Sequence, residues 1–206
     1  MNEPLKSRRE KEKQARYDAI LDAAETVFSD KGYDRTSMDD IARTANLSRA
    51  LLYVYFKDKA AIQMGIMQRA GQNLVERFKA SHCPNDTGIA QIRAMGEAYY
   101  QFYREEPEYF AALTKASTVI ADVDEKQACE MFGSRDELIG LMVAALQKGL
   151  EDGTMSKDRI TDPTQTALYL RGALHGVIML CEGESMPSDA LIQHTMDMLS
   201  HSIETP

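Results

Sequence analysis

The sequence predicts an all-α protein of about nine helices. Apolar residues recur at intervals of three and four along most of the chain, which is the spacing of one helix face. Capping residues, prolines and glycines stand where these stretches begin and end. No alternating apolar and polar stretch bounded by turn residues indicates a strand. We expect two domains, residues 1–60 and residues 61–206, because motifs and charge differ between them.

The first helix is predicted from about Glu10 to Asp30, with Gly32 in the left-handed position that follows many helices. A basic stretch from Lys6 to Arg16 overlaps its start. This stretch is either a solvated, frayed terminus or a contact with a polyanion.

Two short helices follow the first. Ser37 and Asp40 form a capping box for a helix over about residues 38–44. Asn46 stands at the corner of the next turn, since asparagine tolerates left-handed backbone better than most residues. Ser48 caps a third helix over residues 49–56, whose Leu52 and Phe56 face inward.

The remaining helices have clear boundaries. A long helix over residues 59–80 ends at a polar loop, residues 81–88. The next helix ends before Pro107, because the residue before proline avoids helical geometry, and Pro107 begins another. Later helices are predicted over residues 125–152, with a second capping box at Gly133 as an alternative start, 162–182 and 188–203.

The second and third helices have the spacing of a helix-turn-helix, which lays its second helix in the major groove of DNA. At the start of that helix, Arg49 can donate two hydrogen bonds to a guanine, and Ala50 can approach a thymine methyl. Tyr53 and Tyr55 either contact phosphates or pack in the core with a solvated hydroxyl. The combination predicts a DNA-binding surface. Its residues are Ser37, Ser48, Arg49, Ala50, Tyr53, Tyr55 and Lys59.

Charge is divided unevenly along the chain, whose net charge is −8. Residues 1–60 contain twelve Lys/Arg and eleven Asp/Glu, a net of +1. Residues 61–206 contain twelve Lys/Arg and twenty-one Asp/Glu, a net of −9. This asymmetry is consistent with a polyanion partner for the first segment only.

The chain has no apolar run of membrane-spanning length, and its charged start does not resemble a secretory signal. Its three cysteines are an odd number and widely spaced, which argues against a disulfide framework. We therefore expect a cytoplasmic protein without a membrane partner.

The residues from about Ala15 to Lys59 resemble the N-terminal domain of the tetracycline-repressor (TetR) family of bacterial regulators. Asn46 departs from the family pattern, which usually has glycine there, and Ala61 stands where an acidic residue is common. The resemblance is carried by Gly32-Tyr33, Thr36-Ser37, Ile41-Ala42, Ala45-Asn46-Leu47-Ser48, Leu52-Tyr53-Val54-Tyr55-Phe56 and Lys59.

The resemblance implies a homodimeric repressor that leaves its DNA operator when a small molecule binds the C-terminal half. It also implies that Arg49 and its neighbours read bases, and that Tyr53, Tyr55 and Lys59 hold phosphates. By symmetry, such a dimer reads a pseudo-palindromic operator.

Aromatic, methionine and a few polar residues lie on the apolar helix faces of residues 61–206. Each taken singly is ordinarily a core residue. Together they resemble the lining of a pocket, which needs a few polar groups among apolar ones. We expect an apolar or aromatic effector with one or two hydrogen-bonding groups. The predicted contacts are Met67, Met95, Tyr99, Phe102, Tyr103, Phe110, Thr114, Met142, His175 and Met179.

The last two helices carry stripes of small and apolar residues that suit either burial in one subunit or a two-fold dimer. The resemblance favours the dimer. The predicted interface residues are Leu168, Gly172, Gly176, Leu191, Thr195 and Leu199.

Other classes of function find less support. The sequence lacks a glycine-rich phosphate loop, a nucleophile elbow and an HExxH pattern, and its histidines and cysteines are not spaced as metal ligands. We therefore expect neither an enzyme nor a metal or cofactor. A thiol-based redox sensor using Cys83, Cys129 or Cys181, and a helical interaction module without DNA binding, stay as alternatives.

Overall fold

The computed structural model describes residues 5–107, 110, 125–181 and 188–206, with side chains described from residue 8 and, in the helix that begins at Glu125, from residue 133. These residues form eight helices and a single isolated β-bridge, which confirms the predicted all-α class. The predicted helix that begins at Pro107 falls mainly on residues 108–109 and 111–124, outside the described residues. The helices are α1 (Leu5–Lys31), α2 (Met38–Thr44), α3 (Arg49–Tyr55), α4 (Lys59–Ala80), α5 (Gly88–Glu105), α6 (Glu125–Glu151), α7 (Pro163–Leu180) and α8 (Asp189–His201).

One predicted boundary was wrong, and the alternative helix start near Gly133 is not used. The first helix begins at Leu5 and not near Glu10, so the basic stretch is helical and not a tail. Its Arg8 and Glu12, one turn apart, form an ion pair at 3.0 Å that suits a helix. In α6 the helix runs unbroken through Gly133, because the cost of one helical glycine, about 1 kcal/mol, is small beside the burial of Leu138 and Met142.

The helix ends follow the predicted capping chemistry. Asp162 accepts hydrogen bonds from the amides of Thr164 (2.8 Å) and Gln165 (3.1 Å), and Ser188 accepts one from the amide of Leu191 at 3.2 Å. Gly32 (φ +77°) and Gly153 (φ +80°) follow α1 and α6 in left-handed conformation, as predicted for residues that end a helix. Side-chain caps therefore fix where α7 and α8 begin.

The chain forms two compact units, Met1–Arg69 and Ala70–Pro206, so the boundary lies within α4. The sequence placed it at residue 60. The first three turns of α4 pack in the first unit, where a Cβ on Gly65 would meet the Tyr17 hydroxyl at 2.7 Å. Arg69 also pairs with Asp22 of α1 at 2.7 Å. The core of this unit is formed by Ile20, Leu21, Ala24, Ile41, Leu52, Phe56 and Ile62.

The second unit encloses a larger apolar core, to which the end of α4 and the helices α5, α6, α7 and α8 contribute. Phe102 of α5, Leu146 of α6, Ile178 of α7 and Ile192 of α8 are almost completely buried there. A Cβ on Gly88 would lie 2.1 Å from the backbone nitrogen of Gly149, so only glycine permits this approach of α5 to α6. None of the helices in the described part of the chain is long and apolar enough to cross a membrane.

Candidate DNA-binding surface and effector cavity

The capping box predicted at the start of α2 is present. The Ser37 hydroxyl accepts from the Asp40 amide at 3.2 Å, and the Asp40 carboxylate accepts from the Ser37 amide at 3.1 Å. The same carboxylate pairs with Lys31 (2.7 Å) and Arg43 (3.0 Å). Hydrogen bonds from Lys31 and then from Ser37 hold the pKa of Asp40 well below its usual range. The box therefore holds α2 to the end of α1.

The corner between α2 and α3 has the predicted left-handed residue. Asn46 has φ +54° and is the one non-glycine residue with positive φ in the described ranges. The amide of Leu47 donates to the Ala42 carbonyl at 2.8 Å and closes the turn. This turn sets the angle at which α3 leaves α2.

The α3 helix buries one face and exposes the other. Leu52 and the following Phe56 are buried, and the Ser48 hydroxyl accepts from the Leu51 amide at 3.2 Å as the cap. On the opposite face, Tyr53 is 43% exposed and Val54 is 77% exposed. An exposed valine on a short polar-faced helix is a candidate for apolar contact with a base.

Arg49 lies on the exposed face, at the first turn of α3. Its guanidinium lies 5.6 Å from the Tyr53 ring centroid and contacts the Asp39 carboxylate, with its Nε 3.3 Å from Oδ1. More than half of each of the Arg49 and Asp39 side chains is exposed. An ion pair of this kind contributes little to stability, so Arg49 can exchange Asp39 for another partner at small cost.

Lys59 begins α4, and three backbone carbonyls bind its ammonium. The oxygens belong to Tyr33 (2.5 Å), Thr36 (3.0 Å) and Asp34 (3.3 Å), and the Nζ lies 4.3 Å from the Tyr33 ring centroid. An ammonium has three protons to donate, and here each has a carbonyl acceptor. Lys59 thus ties the α1–α2 loop to the start of α4.

The second unit contains an apolar cavity of about 40 Å³, enclosed by residues of α4, α5, α6, α7 and α8. Methionine and aliphatic side chains form most of its wall, and two arginines, a tyrosine and a serine supply polar groups. The lining residues are Phe78, Ile92, Arg93, Met95, Gly96, Tyr99, Met142, Leu170, Arg171, Leu174, Met196, Leu199 and Ser200.

Polar contacts connect Tyr99 with two neighbouring residues at the cavity wall. The Tyr99 hydroxyl lies 2.8 Å from Nδ1 of His175 and also interacts with the Arg171 guanidinium. Burial raises the pKa of Tyr99 to about 12, although the positive charge of Arg171 opposes the shift. Tyr99 is therefore a neutral hydrogen-bonding group at neutral pH. The rings of Tyr99 and His175 also contact Phe110, at centroid distances of 5.5 and 5.4 Å.

The outer face of α7 is apolar and open. Leu168, Tyr169 and Leu180 are 43%, 58% and 87% exposed. A Cβ built on Gly172 or Gly176 would meet no atom within 4 Å. This stripe gives a second helix room for close approach.

Comparison with known proteins now assigns the fold and the helix-turn-helix to a family. The family model described as bacterial regulatory proteins, tetR family, matches residues 20–63. A second model, the Tetracyclin repressor-like C-terminal domain, matches residues 92–199, more than half of the chain. The chain belongs to the TetR family. It is a transcriptional regulator with an N-terminal helix-turn-helix, and its family and fold are those of DNA-binding regulators, not enzymes.

Curated relatives match parts of this TetR-family chain. The transcriptional activator FasR of Mycolicibacterium smegmatis is 32% identical over 89 residues, 43% of this chain and 41% of FasR. The negative regulator of the biofilm operon, IcaR, of Staphylococcus aureus is 51% identical over 45 residues, 22% of this chain and 24% of IcaR. The chain thus spans less than half the length of either relative.

Solved structures match nearly the whole chain in fold. PfmR of Thermus thermophilus, a TetR-family regulator, has a TM-score of 0.70 at 22% identity and covers 90% of this chain and 99% of its own. A TetR-like regulator from Rhodococcus has a TM-score of 0.62 at 27% identity and covers 91% of this chain and 92% of its own.

The predicted DNA-contacting residues all lie in the first unit, but they differ in availability. Arg49, Ala50 and Tyr53 are exposed on one side of α3, whereas Tyr55 is half-buried. Ser37 and Ser48 are exposed, and their hydroxyls act as helix caps. Val54 was missed, although its place one residue after Tyr53 on the exposed side of the helix was a usable signal.

The predicted effector contacts are divided by the structure. Met95, Tyr99 and Met142 line the cavity, and His175 adjoins it through Tyr99. Met67 is buried in the first unit, and Thr114 lies outside the described residues. The remaining four pack in the core beside the cavity: Phe102, Tyr103, Phe110 and the half-buried Met179.

Sequence reasoning missed Arg171. The signal was an arginine one turn after Ala167 and one turn before Leu174 and His175, on an otherwise apolar face. Arg93 was also missed, because it does not stand out as a charged residue on an otherwise apolar face of α5.

The predicted interface residues are mostly accessible. Leu168 and Leu191 are exposed, Gly172 and Gly176 face open space, and Thr195 is half-buried, with its hydroxyl donating to the Leu191 carbonyl at 2.8 Å. Leu199, in contrast, packs against the core and lines the cavity. Met198, 60% exposed, was missed on the same helix.

The described residues show no group of side chains placed to hold a metal ion. Of the cysteines, Cys83 is exposed and Cys181 is half-buried, and both are free thiols. The side chain of Cys129 lies outside the described residues.

Proposed function

We propose that this TetR-family regulator is a homodimeric, ligand-responsive repressor that leaves a pseudo-palindromic DNA operator when a small apolar effector binds its second unit. The observation that carries the proposal is the exposed face of α3. Arg49, Ala50, Tyr53 and Val54 lie there together, on a helix whose other face is buried and whose start is capped. This is the arrangement of a reading helix in the major groove.

Base recognition is assigned to Arg49, with Ala50 and Val54 beside it. The guanidinium is charged and exposed, and among the described residues it contacts only the Tyr53 ring and, through a solvated ion pair, the Asp39 carboxylate. It can therefore donate to O6 and N7 of a guanine, while the short side chain of Ala50 and the apolar Val54 suit thymine methyls. Tyr53, Tyr55, Ser37 and Lys59 are assigned to the phosphate backbone, as the sequence predicts, and Ser48 stays with Arg49 and Ala50 at the base edges.

Dimerisation through α7 and α8 is supported by the apolar stripe that α7 leaves open. Exposed apolar stripes of this kind mark interaction surfaces. A two-fold axis at this stripe would place Gly172 and Gly176 opposite their symmetry mates, where small residues permit close packing. Such a dimer presents two copies of α3 to a symmetric operator.

An effector site is supported by the cavity in the second unit. Its volume of about 40 Å³ is small beside the roughly 300–1,000 Å³ of pockets that hold drug-sized ligands. Met95, Met142 and Met196 line it, and methionine side chains repack easily because they are unbranched and flexible. Binding therefore requires the cavity to open, which is the change through which an effector favours one state over another.

Repression is proposed because the higher local identity is to a negative regulator, IcaR. FasR, which is also similar to part of this chain, is an activator. A regulator that binds chromosomal DNA in this way acts in the cytoplasm.

A mobility-shift assay with a promoter fragment tests the proposal. Wild-type protein should shift the fragment as a dimer, and Arg49→Ala should shift it more weakly. Asp39→Ala is the matched control, since it removes the partner of Arg49 and leaves the guanidinium in place. No shift by wild-type protein, or equal shifts by wild type and Arg49→Ala, would contradict the assignment.

A further inference from the structure

Arg171 is a cation at the wall of an apolar cavity. It lies one turn from the buried residues Ala167 and Leu174, so its side chain leaves α7 on the side that faces the core. Its guanidinium lines the cavity beside Tyr99. A charge in such a place is costly unless an opposite charge or hydrogen bonds compensate it.

The other arginine at the cavity has carboxylate partners. Arg93 contacts Asp197 at 3.2 Å and Glu204 at 3.9 Å. In the described ranges, no carboxylate forms an ion pair with Arg171, whose guanidinium interacts with the Tyr99 side chain. Arg171 is thus the cavity arginine whose charge is open to a ligand.

Tyr99 completes a polar corner. Its ring is buried, and its hydroxyl lies 2.8 Å from Nδ1 of His175, at the cavity wall that Arg171 also lines. A guanidinium fork with an adjacent hydroxyl is well suited to a planar or tetrahedral oxyanion, since charge-assisted bonds to such groups are short and strong. The apolar wall of Ile92, Met95 and Leu174 begins beside this corner.

We propose that the effector carries an oxyanion head group, a carboxylate or a phosphate, bound by Arg171 and Tyr99, with an apolar body among Met95, Met142 and Met196. This inference rests on the proposed function, because it names the chemistry of the same effector site. The cavity of about 40 Å³ has room for little beyond a head group or ordered water. The apolar body enters as the three methionines change rotamer.

Calorimetric titration of the full-length protein in the absence of DNA tests the proposal. Four probes share one chain length and differ in the head group: decanoate, decyl phosphate, decanol and decylammonium, each below its micellar concentration. At least one of the two anions should bind on the order of tenfold more tightly than decanol, and decylammonium should bind more weakly than decanol. The tighter of the two anions identifies the head group.

Variants then locate the head group. Arg171→Met removes the charge but keeps an unbranched, flexible side chain, and it should abolish the preference for the anion over decanol while decanol affinity stays. Arg171→Lys keeps the charge without the fork and should retain part of the preference, provided that circular dichroism shows both variants folded. Arg104→Met is the control, because Arg104 lies outside the cavity and contacts Asp189 at 3.4 Å.

Three results would overturn the proposal: no probe binds wild-type protein, decanol binds as tightly as both anions, or folded Arg171→Met keeps the full preference. Failure of the proposed function looks different. If an anion binds through Arg171 but leaves DNA affinity unchanged, the inference of an anionic head group is supported, and the proposal that the effector releases the DNA is contradicted. If only uncharged molecules release the DNA, the proposal that an effector releases the DNA is supported, and the inference of an anionic head group is contradicted.

Discussion

Arg49 combines exposure with a weak existing partner. Its ion pair with Asp39 is solvated on both sides, and such pairs contribute about 0–1 kcal/mol. A bidentate contact with guanine discriminates by roughly 1–3 kcal/mol. Exchange of Asp39 for a base edge is therefore favourable only at the correct base pair, which is the behaviour of a specificity contact.

Replacement of Arg49 by alanine should relax sequence preference at one base pair of each half-site. The expected loss is about 1–3 kcal/mol for the preferred base and near zero for the others at that position. Competition binding with single-base operator variants measures it. A uniform loss across all variants would instead assign Arg49 to the phosphate backbone.

Lys59 is predicted to contact a DNA phosphate, but its ammonium already has partners within the protein. Its ammonium is bound by the carbonyls of Tyr33, Asp34 and Thr36, so Lys59→Met should lower the free energy of unfolding by about 1–3 kcal/mol. If Lys59 also contacts a phosphate, the variant should reduce the slope of log affinity against log salt by roughly one per subunit. Urea denaturation and salt titration read out the two roles separately. Lys57→Met, at an exposed neighbouring position, is the control. An unchanged free energy of unfolding in Lys59→Met would contradict a stabilising role for the contacts between Lys59 and the three carbonyls.

At the residue scale, local chemistry was predictable and partners distant in sequence were not. The caps at Ser37 and Ser48 and the corner at Asn46 depend on neighbours within three residues, so the sequence contains the whole signal. The carbonyls around Lys59 lie more than twenty residues away, and the Tyr99–His175 contact joins residues 76 apart. Tertiary packing decides those contacts.

The element with the clearest pH signature is α2. Its capping carboxylate, Asp40, has a pKa held well below the usual range, first by Lys31 and then by Ser37. A lowered pKa in the folded state means that the contribution to stability is present above the unfolded pKa, about 4, and is lost as pH falls through the folded pKa.

The difference in unfolding free energy between wild type and Asp40→Asn should therefore be constant at neutral pH and should shrink below about pH 4. Chemical denaturation between neutral and strongly acid pH measures this difference. Asp30→Asn, at an exposed position of α1, is the control and should not show the same convergence. A difference independent of pH would mean that the Asp40 charge has no role in the cap.

At the element scale, helix type and most boundaries were predictable, but the start of α1 was not. The sequence before Glu10 is rich in charged residues, which suit a solvated end and a helical turn equally well. In the structure these residues are helical from Leu5. Gly133 suggests a stop, but α6 continues because its next two turns bury Leu138 and Met142. At Gly133 the burial of the following turns outweighs the low helix propensity of glycine.

At the scale of the whole molecule, the open stripe on α7 predicts self-association. Leu180→Glu places a charge where 87% of an apolar side chain is exposed, and should raise the dimer dissociation constant by on the order of tenfold or more. Analytical ultracentrifugation measures the constant. Ala144→Glu, at an exposed position of α6, is the control for added charge. A dimer equally stable in both variants would place the interface elsewhere.

The fold was predictable from the sequence to a greater degree than the effector site. Periodicity and caps identify helices one at a time, whereas a cavity is formed by side chains from five helices. Met95, Tyr99 and Met142 line the cavity because apolar faces converge on a core. Met67 lies in the first unit instead, since periodicity does not say which of two cores a face of α4 joins.

Selection of bound sequences from a random duplex DNA library tests the central claim, that a symmetric pair of α3 helices reads the operator. Wild-type protein should enrich a pseudo-palindrome, and Arg49→Ala should lose preference at one position in each half, at symmetry-related sites. Enrichment of no sequence, or of an asymmetric one that Arg49→Ala leaves unchanged, would contradict the claim.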